Sequence, residues 1–421
     1  MHHKILVFKI SAMAAALFVL VWGLPAAAEL YPALQEPPII FQASDILPKN
    51  LRVGPGFRLD EPVRNDGIVN TYQLKSLYGA MTLESTALLK IRVNELWALD
   101  RMEDLKKTKI FTDALKAGAK GPLNTAKGLV TEPVDTVKDV GSGIGKWFSD
   151  IGRSVVSDDP YQENTLSTVI GYAAAKRKFA YEFGIDPYTN YEPLEKALAE
   201  IARVSVAGGL TPKMAFKAIE GAAGKVLSMT ATSNTMRKLV RDKSPAELEK
   251  INKEKLKSMG VRDALAEALL ASPVYNPYET TLLVGELHSM NHVMERENII
   301  GAALMADEKT VAVFIRLSVQ MMGSYNDNVI PILRMVNIDG IPFVQNKAGV
   351  IVGLFPMDHI GSTVAFWRRM NTISGSTKKM SGITGKEMWI TGTFDPVMVK
   401  ALESREWKAV DRAEDKLKAD K

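Results

Sequence analysis

Ile332-Leu333-Arg334-Met335-Val336-Asn337-Ile338, Asp339-Gly340, Ile341-Pro342-Phe343-Val344-Gln345, Asn346-Lys347-Ala348-Gly349 and Val350-Ile351-Val352-Gly353-Leu354-Phe355 follow one another without a break. Three short runs rich in β-branched and aromatic residues are divided by Asp-Gly and by Asn-Lys-Ala-Gly, residue types that accept the backbone angles of tight turns. The reading is three strands, Ile332–Ile338, Pro342–Gln345 and Val350–Phe355. Downstream the pattern predicts a helix from Asp358 to about Ile373, a strand Glu387–Thr391, a helix Asp395–Arg405 and a strand Trp407–Val410. Strands alternating with helical segments mark a mixed α/β unit. Upstream, Thr280–Met305 and Glu308–Tyr325 read as two long helices in a hairpin.

Further toward the N-terminus the chain reads as helical. Helices are expected over Thr165–Phe183, Pro193–Val206 and Pro212 to about Leu227, with glycines at Gly184 and Gly208-Gly209 as stops. Ser244-Pro245-Ala246-Glu247 has the order of a capping box and predicts a helix start, Gly260 its end, and Arg262–Leu270 one more helix. Thr86–Lys107 places Leu89, Val93, Leu96, Leu99 and Met102 at helical spacing. Phe57–Leu83 suggests a β-hairpin with Asn65-Asp66-Gly67 as a turn, and the proline-rich residues from Glu29 to about Pro62 read as an extended lead-in.

The expected fold class is therefore α+β and predominantly helical, with a small N-terminal β-hairpin, a helical middle and a C-terminal mixed α/β unit. Its segments are 1–28, 29–120, 121–160, 161–277, 278–410 and a charged tail, 411–421. The first has the order of a secretory signal: Lys4 and Lys9, an apolar run from Ile10 to Leu24, then Pro25-Ala26-Ala27-Ala28. Cleavage near Ala28 would place the mature chain in the periplasm or outside the cell. With no cysteine in 421 residues, disulfides, thiolate metal sites and a cysteine nucleophile are excluded. The charge of +5 is too small for a dedicated nucleic-acid binder. No phosphate-binding Gly-x-x-x-x-Gly-Lys loop is present, so no nucleotide is expected.

Residues 121–155 carry a weak 11-residue repeat in which Pro122, Pro133 and Ile144 correspond, as do Thr125, Thr136 and Trp147. Eleven residues make close to three helical turns, so the repeat keeps one face apolar. Val134, Val137, Ile144, Trp147, Phe148 and Ile151 lie on that stripe or beside it and form a candidate membrane or partner surface. The same stripe would equally serve as internal packing, its glycines allowing close backbone approach.

Reactive residues are sparse. His288 and His292, four apart on the expected helix, would share one face as a divalent metal such as zinc requires, and His359 beside Asp358 is the third candidate ligand. Glu286 and Glu295 are further donors. In the zinc-peptidase pattern a Glu follows the first His. Here Ser289 stands there, so that general base is missing. Thr391-Gly392-Thr393 before Asp395-Pro396 offers a helix start to an anion, in competition with the Asp395 side chain itself.

Gly128-Leu129-Val130-Thr131-Glu132-Pro133-Val134-Asp135-Thr136-Val137-Lys138, Phe183-Gly184-Ile185-Asp186-Pro187-Tyr188, and Trp389-Ile390-Thr391-Gly392-Thr393 with Trp407 resemble a family of exported bacterial proteins with no known activity. That resemblance spans most of the mature chain and implies no site residue. The first stretch is also similar to the Gly/Pro-punctuated amphipathic segments near the ends of bridge-like lipid-transfer proteins. The expectation is an envelope protein without cofactor that contacts a protein partner or a membrane surface. A metal-dependent hydrolase built on His288, His292 and His359 is the alternative.

Overall fold

A computed structural model describes residues 34–120, 167–219 and 231–418, and the segments 1–28 and 121–160 lie outside the described residues, together with the surface proposed on Val134, Val137, Ile144, Trp147, Phe148 and Ile151. The fold is mixed α+β, with an N-terminal sheet, a helical middle and a C-terminal mixed sheet. Two compact units share it. One takes the described residues of Met1–Val93, Ser228–Met236 and Ile251–Lys421, the other those of Asn94–Leu227 and Arg237–Lys250.

In the first unit the hairpin grows into a six-stranded antiparallel sheet of β1 (Ile39–Gln42), β2 (Val53–Gly54), β3 (Phe57–Leu59), β4 (Pro62–Asn65), β5 (Asn70–Ser76) and β6 (Gly79–Glu84), in the order β1-β4-β5-β3-β2 with β6 also on β5. The expected turn is there. Asn65 pairs with Asn70, and the Asp66 carboxylate accepts from Ile68 N and Val69 N at 2.9 and 2.8 Å. Side chains alternate as a half-buried sheet requires: Phe57, Leu59, Val63, Tyr72, Leu74 and Leu83 are buried, while Arg58, Arg64, Gln73, Lys75 and Thr82 face out. The lead-in is less plain than its prolines suggest. It contains β1, which pairs with β4, and two helical turns, Ala43–Ile46 and Lys49–Arg52.

The opening stretch forms a meander of β7 (Ile332–Ile338), β8 (Ile341–Asn346) and β9 (Val350–Phe355). After β10 (His359–Ile360), β11 (Gly385–Ile390) lies parallel to β9, and after β12 (Thr393–Phe394), β13 (Trp407–Val410) lies parallel to β11. The order β13-β11-β9-β8-β7 makes both crossovers step the same way across the sheet. A single handedness then puts their helices on one face. Accordingly Trp367 and Met370 of helix Val364–Thr377 and Met398 and Leu402 of helix Pro396–Glu403 share one core with Phe343, Met388, Ile390 and Trp407. The opposite face buries Val344, Val352, Leu354 and Trp389 under helices Pro277–Ser289, Glu297–Ala303 and Lys309–Asn328.

Three expectations need correction here. The helix expected over Thr280–Met305 stops at Ser289 and resumes at Glu297. No glycine or proline breaks it. Instead Met294 N donates to Leu333 O and Met294 O accepts from Met335 N, so this segment covers the edge of β7, and sheet pairing wins over helical propensity. The helix expected from Asp358 begins at Val364, capped by Thr363 Oγ1, because Asp358 and His359 are drawn into extended pairing beside β12. The tail is not wholly solvated: Ala413 and Leu417, around the short helix Ala413–Lys416, are buried in the core.

Helix Pro277–Ser289 is enclosed along most of its length, from Glu279 to Leu287, and so it buries charge. Arg316 of helix Lys309–Asn328 answers it: Nε donates to Glu279 Oε2 at 2.7 Å, and Nη1 to Gln320 Oε1 at 3.3 Å.

The second unit is helical. Helix Lys109–Lys120 and helix Glu192–Gly208 approach so closely that a Cβ on Gly208 would stand 1.9 Å from Ala114 O. The Ser244 capping box forms, Ser244 N donating to Glu247 Oε2 at 2.9 Å and Glu247 N to Ser244 Oγ at 3.4 Å. The backbone donor of Ser244 and the Lys243 ammonium hold the Glu247 carboxyl down at about 2. Ser244→Ala is expected to cost about 1 kcal/mol of stability, read by urea unfolding. Gly260, at φ +77°, ends the helix Pro245–Ser258 that this box begins.

Candidate functional site

Open α/β sheets receive ligands at the carboxyl ends of their parallel strands, where the strand order reverses and two loops part. In this sheet those loops are Phe355–Thr363 after β9 and Ile390–Asp395 after β11. The order does not reverse between them, and the loops are stitched together. Thr391 N donates to Phe355 O, Gly392 N to Met357 O, Thr393 N to Asp358 O and Asp395 N to Ile360 O. Gly392 is required for this approach: a Cβ there would lie 1.6 Å from Asp358 O.

The N-terminal layer closes what remains. Asp358 N donates to Ile68 O at 3.1 Å, Gly361 N to Gly67 O at 3.1 Å and Gln35 N to Ser362 O at 2.7 Å. Gln35 Nε2 also donates to Asp395 Oδ2 at 3.0 Å. Both helix starts at this end are taken by their own side chains, Thr363 accepting from Phe366 N and Asp395 from Val397 N. The Thr391-Gly392-Thr393 segment therefore meets the Asp395 carboxylate where an external anion would have sat.

Asp358 is the centre of the joint. It is buried, accepts from Asn70 N at 2.8 Å and from Thr86 N at 3.0 and 3.1 Å, and so ties β5 and the first residue of helix Thr86–Lys106 to the C-terminal sheet. Tyr72 Oη joins through Thr86 Oγ1 at 2.6 Å and Asn70 Nδ2 at 2.8 Å, and burial together with the Asp358 charge pushes its phenol up. Burial also pushes the Asp358 carboxyl up to about 6, against the Asn70 and Thr86 donors and the Lys90 charge.

The folded chain thus holds this proton more tightly than the unfolded chain, whose carboxyl titrates near 3.8. Ionised Asp358 opposes folding, and its contribution becomes more favourable as pH falls through 6 toward the unfolded value. Between about pH 7 and about pH 4.5 the wild-type chain is expected to gain stability relative to an Asp358→Asn chain. Urea midpoints of the two that run parallel across that range would refute it.

The three candidate histidines are not gathered. His288 sits in the last turn of helix Pro277–Ser289, its imidazole pushed down by burial and by Lys255 and Arg296. His292 lies beyond the helix end, with Nε2 3.1 Å from Asn326 Oδ1, so the four-residue spacing no longer defines a helix face. His359 packs edge-on against Phe41 at 4.9 Å and shares a hydrogen bond with Thr393 Oγ1 at 3.0 Å. Burial pushes its imidazole down, and Asp395 opposes that shift. Among the described residues no group of three or more His, Asp or Glu side chains is placed to hold a metal ion.

At the other end of the sheet lies an open groove of about 360 Å³ lined by Val350, Gly385, Glu403 and Trp407 among others. Four of its charges engage one another, Lys386 with Glu406 at 3.3 Å and Lys408 with Glu387 at 3.1 Å. In the sequence Asp358 is legible only as a helix start and as the neighbour of His359, and Gln35, Asn70 and Thr86 carry no sign of a joint. Partners nearly three hundred positions apart leave no local pattern to read. No helix among the described residues is long and apolar enough to cross a membrane. Comparison with known protein families, with curated proteins and with solved structures gives no match to this chain.

Proposed function

We propose that this chain is an exported protein of the cell envelope that works by surface contact, engaging a protein partner or a membrane surface with no catalytic step of its own. The observation that carries the reading is the joint at the carboxyl ends of β9 and β11, where Gln35, Gly67, Ile68 and Asn70 occupy the space in which an α/β sheet ordinarily takes a ligand. The signal-like order of Lys4 to Ala28 supports the envelope assignment.

Three experiments test it. A strain lacking the protein should be rescued as well by His359→Gln and His292→Gln as by the wild-type chain, once expression levels are matched. Complete loss of rescue with the folded variants overturns the non-catalytic reading, as does metal bound one to one in the purified chain and lost in His288→Ala. Intact chain beginning at Met1 in the cytosol of the native cell removes the envelope assignment.

A further inference from the structure

Two turns lie side by side at one end of the N-terminal sheet. Pro55-Gly56 joins β2 to β3, Leu77-Tyr78 joins β5 to β6, and Leu77 N donates to Gly56 O at 2.8 Å. The Leu77 side chain rests over Gly56, where an added Cβ would stand 2.8 Å from its Cδ1. Turn geometry accounts for Gly56 and Gly79, at φ +67° and +110°, but it asks nothing apolar of positions 77 and 78. Leu77 is nevertheless 82% exposed, Tyr78 41% and Val53 47%, with Pro55 and Ala80 exposed beside them.

Cations outnumber acids around this end. Pairing sets Val53 opposite Arg58, Arg58 opposite Lys75 and Lys75 opposite Ala80, so two cations cross the outer face one residue behind the tip. Residues 49–59 and 74–83 hold Lys49, Arg52, Arg58 and Lys75 and not one acid. Asp60, Glu61 and Glu84 border these runs. Asp60 pairs with Lys75 at 2.8 Å, and Glu61 accepts from Ser44 N at 2.9 Å and meets Arg52 at 3.7 Å, so the four bases leave the end cationic in sum. An apolar point with a polar-tipped ring and a cationic collar is the composition of a membrane-interface anchor: Leu enters the acyl boundary, Tyr stays at headgroup level, and Lys and Arg reach phosphates.

We infer that the Leu77–Tyr78 turn, with Val53 beside it and Arg58 and Lys75 behind, is a docking point for an anionic lipid surface. The inference rests on the surface-contact reading and names its partner. It also places that contact on a different part of the chain from residues 134–151.

Because the chain contains no cysteine, Leu77→Cys gives a single thiol at the tip for an environment-sensitive fluorophore. Lys347→Cys, in the turn between β8 and β9, serves as the control. With the full mature chain and vesicles of phosphatidylglycerol and phosphatidylcholine, emission from position 77 is expected to shift to the blue, and emission from position 347 to stay unchanged. In co-sedimentation the double variant Leu77→Ser/Tyr78→Ser should bind these vesicles about tenfold less than wild type. Arg58→Glu/Lys75→Glu should lose the preference over pure phosphatidylcholine vesicles.

An unshifted label at 77 on bound protein, or equal sedimentation of wild type and the Leu77→Ser/Tyr78→Ser chain, overturns the inference. Failure of the wild-type chain to bind any vesicle overturns it too. That result leaves the non-catalytic reading standing with a protein as partner, whereas loss of rescue by the histidine variants removes that reading whatever the vesicles show.

Discussion

Arg316→Met is expected to destabilise the first unit by about 3–5 kcal/mol, because it leaves the Glu279 carboxylate enclosed without its guanidinium. The two side chains are 9% and 6% exposed and meet at 2.7 Å, so water cannot take over the lost partner without opening the helix pair. The informative companion is the double variant Glu279→Met/Arg316→Met. Two apolar groups of similar volume remove the charge problem altogether and should recover most of the loss, since a buried pair often contributes little net stability over an apolar replacement. Urea unfolding of wild type, both single variants and the double variant gives the coupling directly. A loss below about 1 kcal/mol for Arg316→Met would show that Glu279 is not held as described.

Gly392→Ala should cost about 3 kcal/mol or more, at or above the top of the range for overpacking. The added methyl meets the main-chain carbonyl of Asp358 at 1.6 Å, and a backbone atom held by its own hydrogen bonds cannot move aside as a side-chain end can. Gly385→Ala, one strand-length away on β11, is the control. Its nearest neighbours are Val350 methyls at 3.6 and 3.8 Å, an ordinary contact, and the change should stay within about 1 kcal/mol of wild type. Equal effects at the two positions would mean that the loops after β9 and β11 do not touch.

The parts of this fold that announce themselves in sequence are those whose causes are local. Asp339-Gly340 and Asn346 to Gly349 demand turns, the runs between them suit only strands, and Ser244 with Glu247 writes a helix start into four residues. The parts that stay hidden have distant causes. Nothing within Met290 to Arg296 forbids a helix. The edge of β7, some forty positions further on, claims Met294.

Asp358 reads as the start of its own helix and instead accepts from Thr86 N at the start of another. The same blindness governed the candidate metal site. His288 and His292 share a face only while the helix runs through both, and its end at Ser289 depends on contacts that the spacing of two histidines does not encode.

The Gln35–Asp395 contact joins positions 360 apart, and the strands beside Gln35 are among the first described residues of the chain. Ribosomal synthesis supplies the second partner 360 residues after the first. Loops this long are slow to close, because their entropy is lost before any distant pairing rewards it. The early strands can pair with one another from the start, but they lack the far side of this joint until the residues around Asp395 have been made.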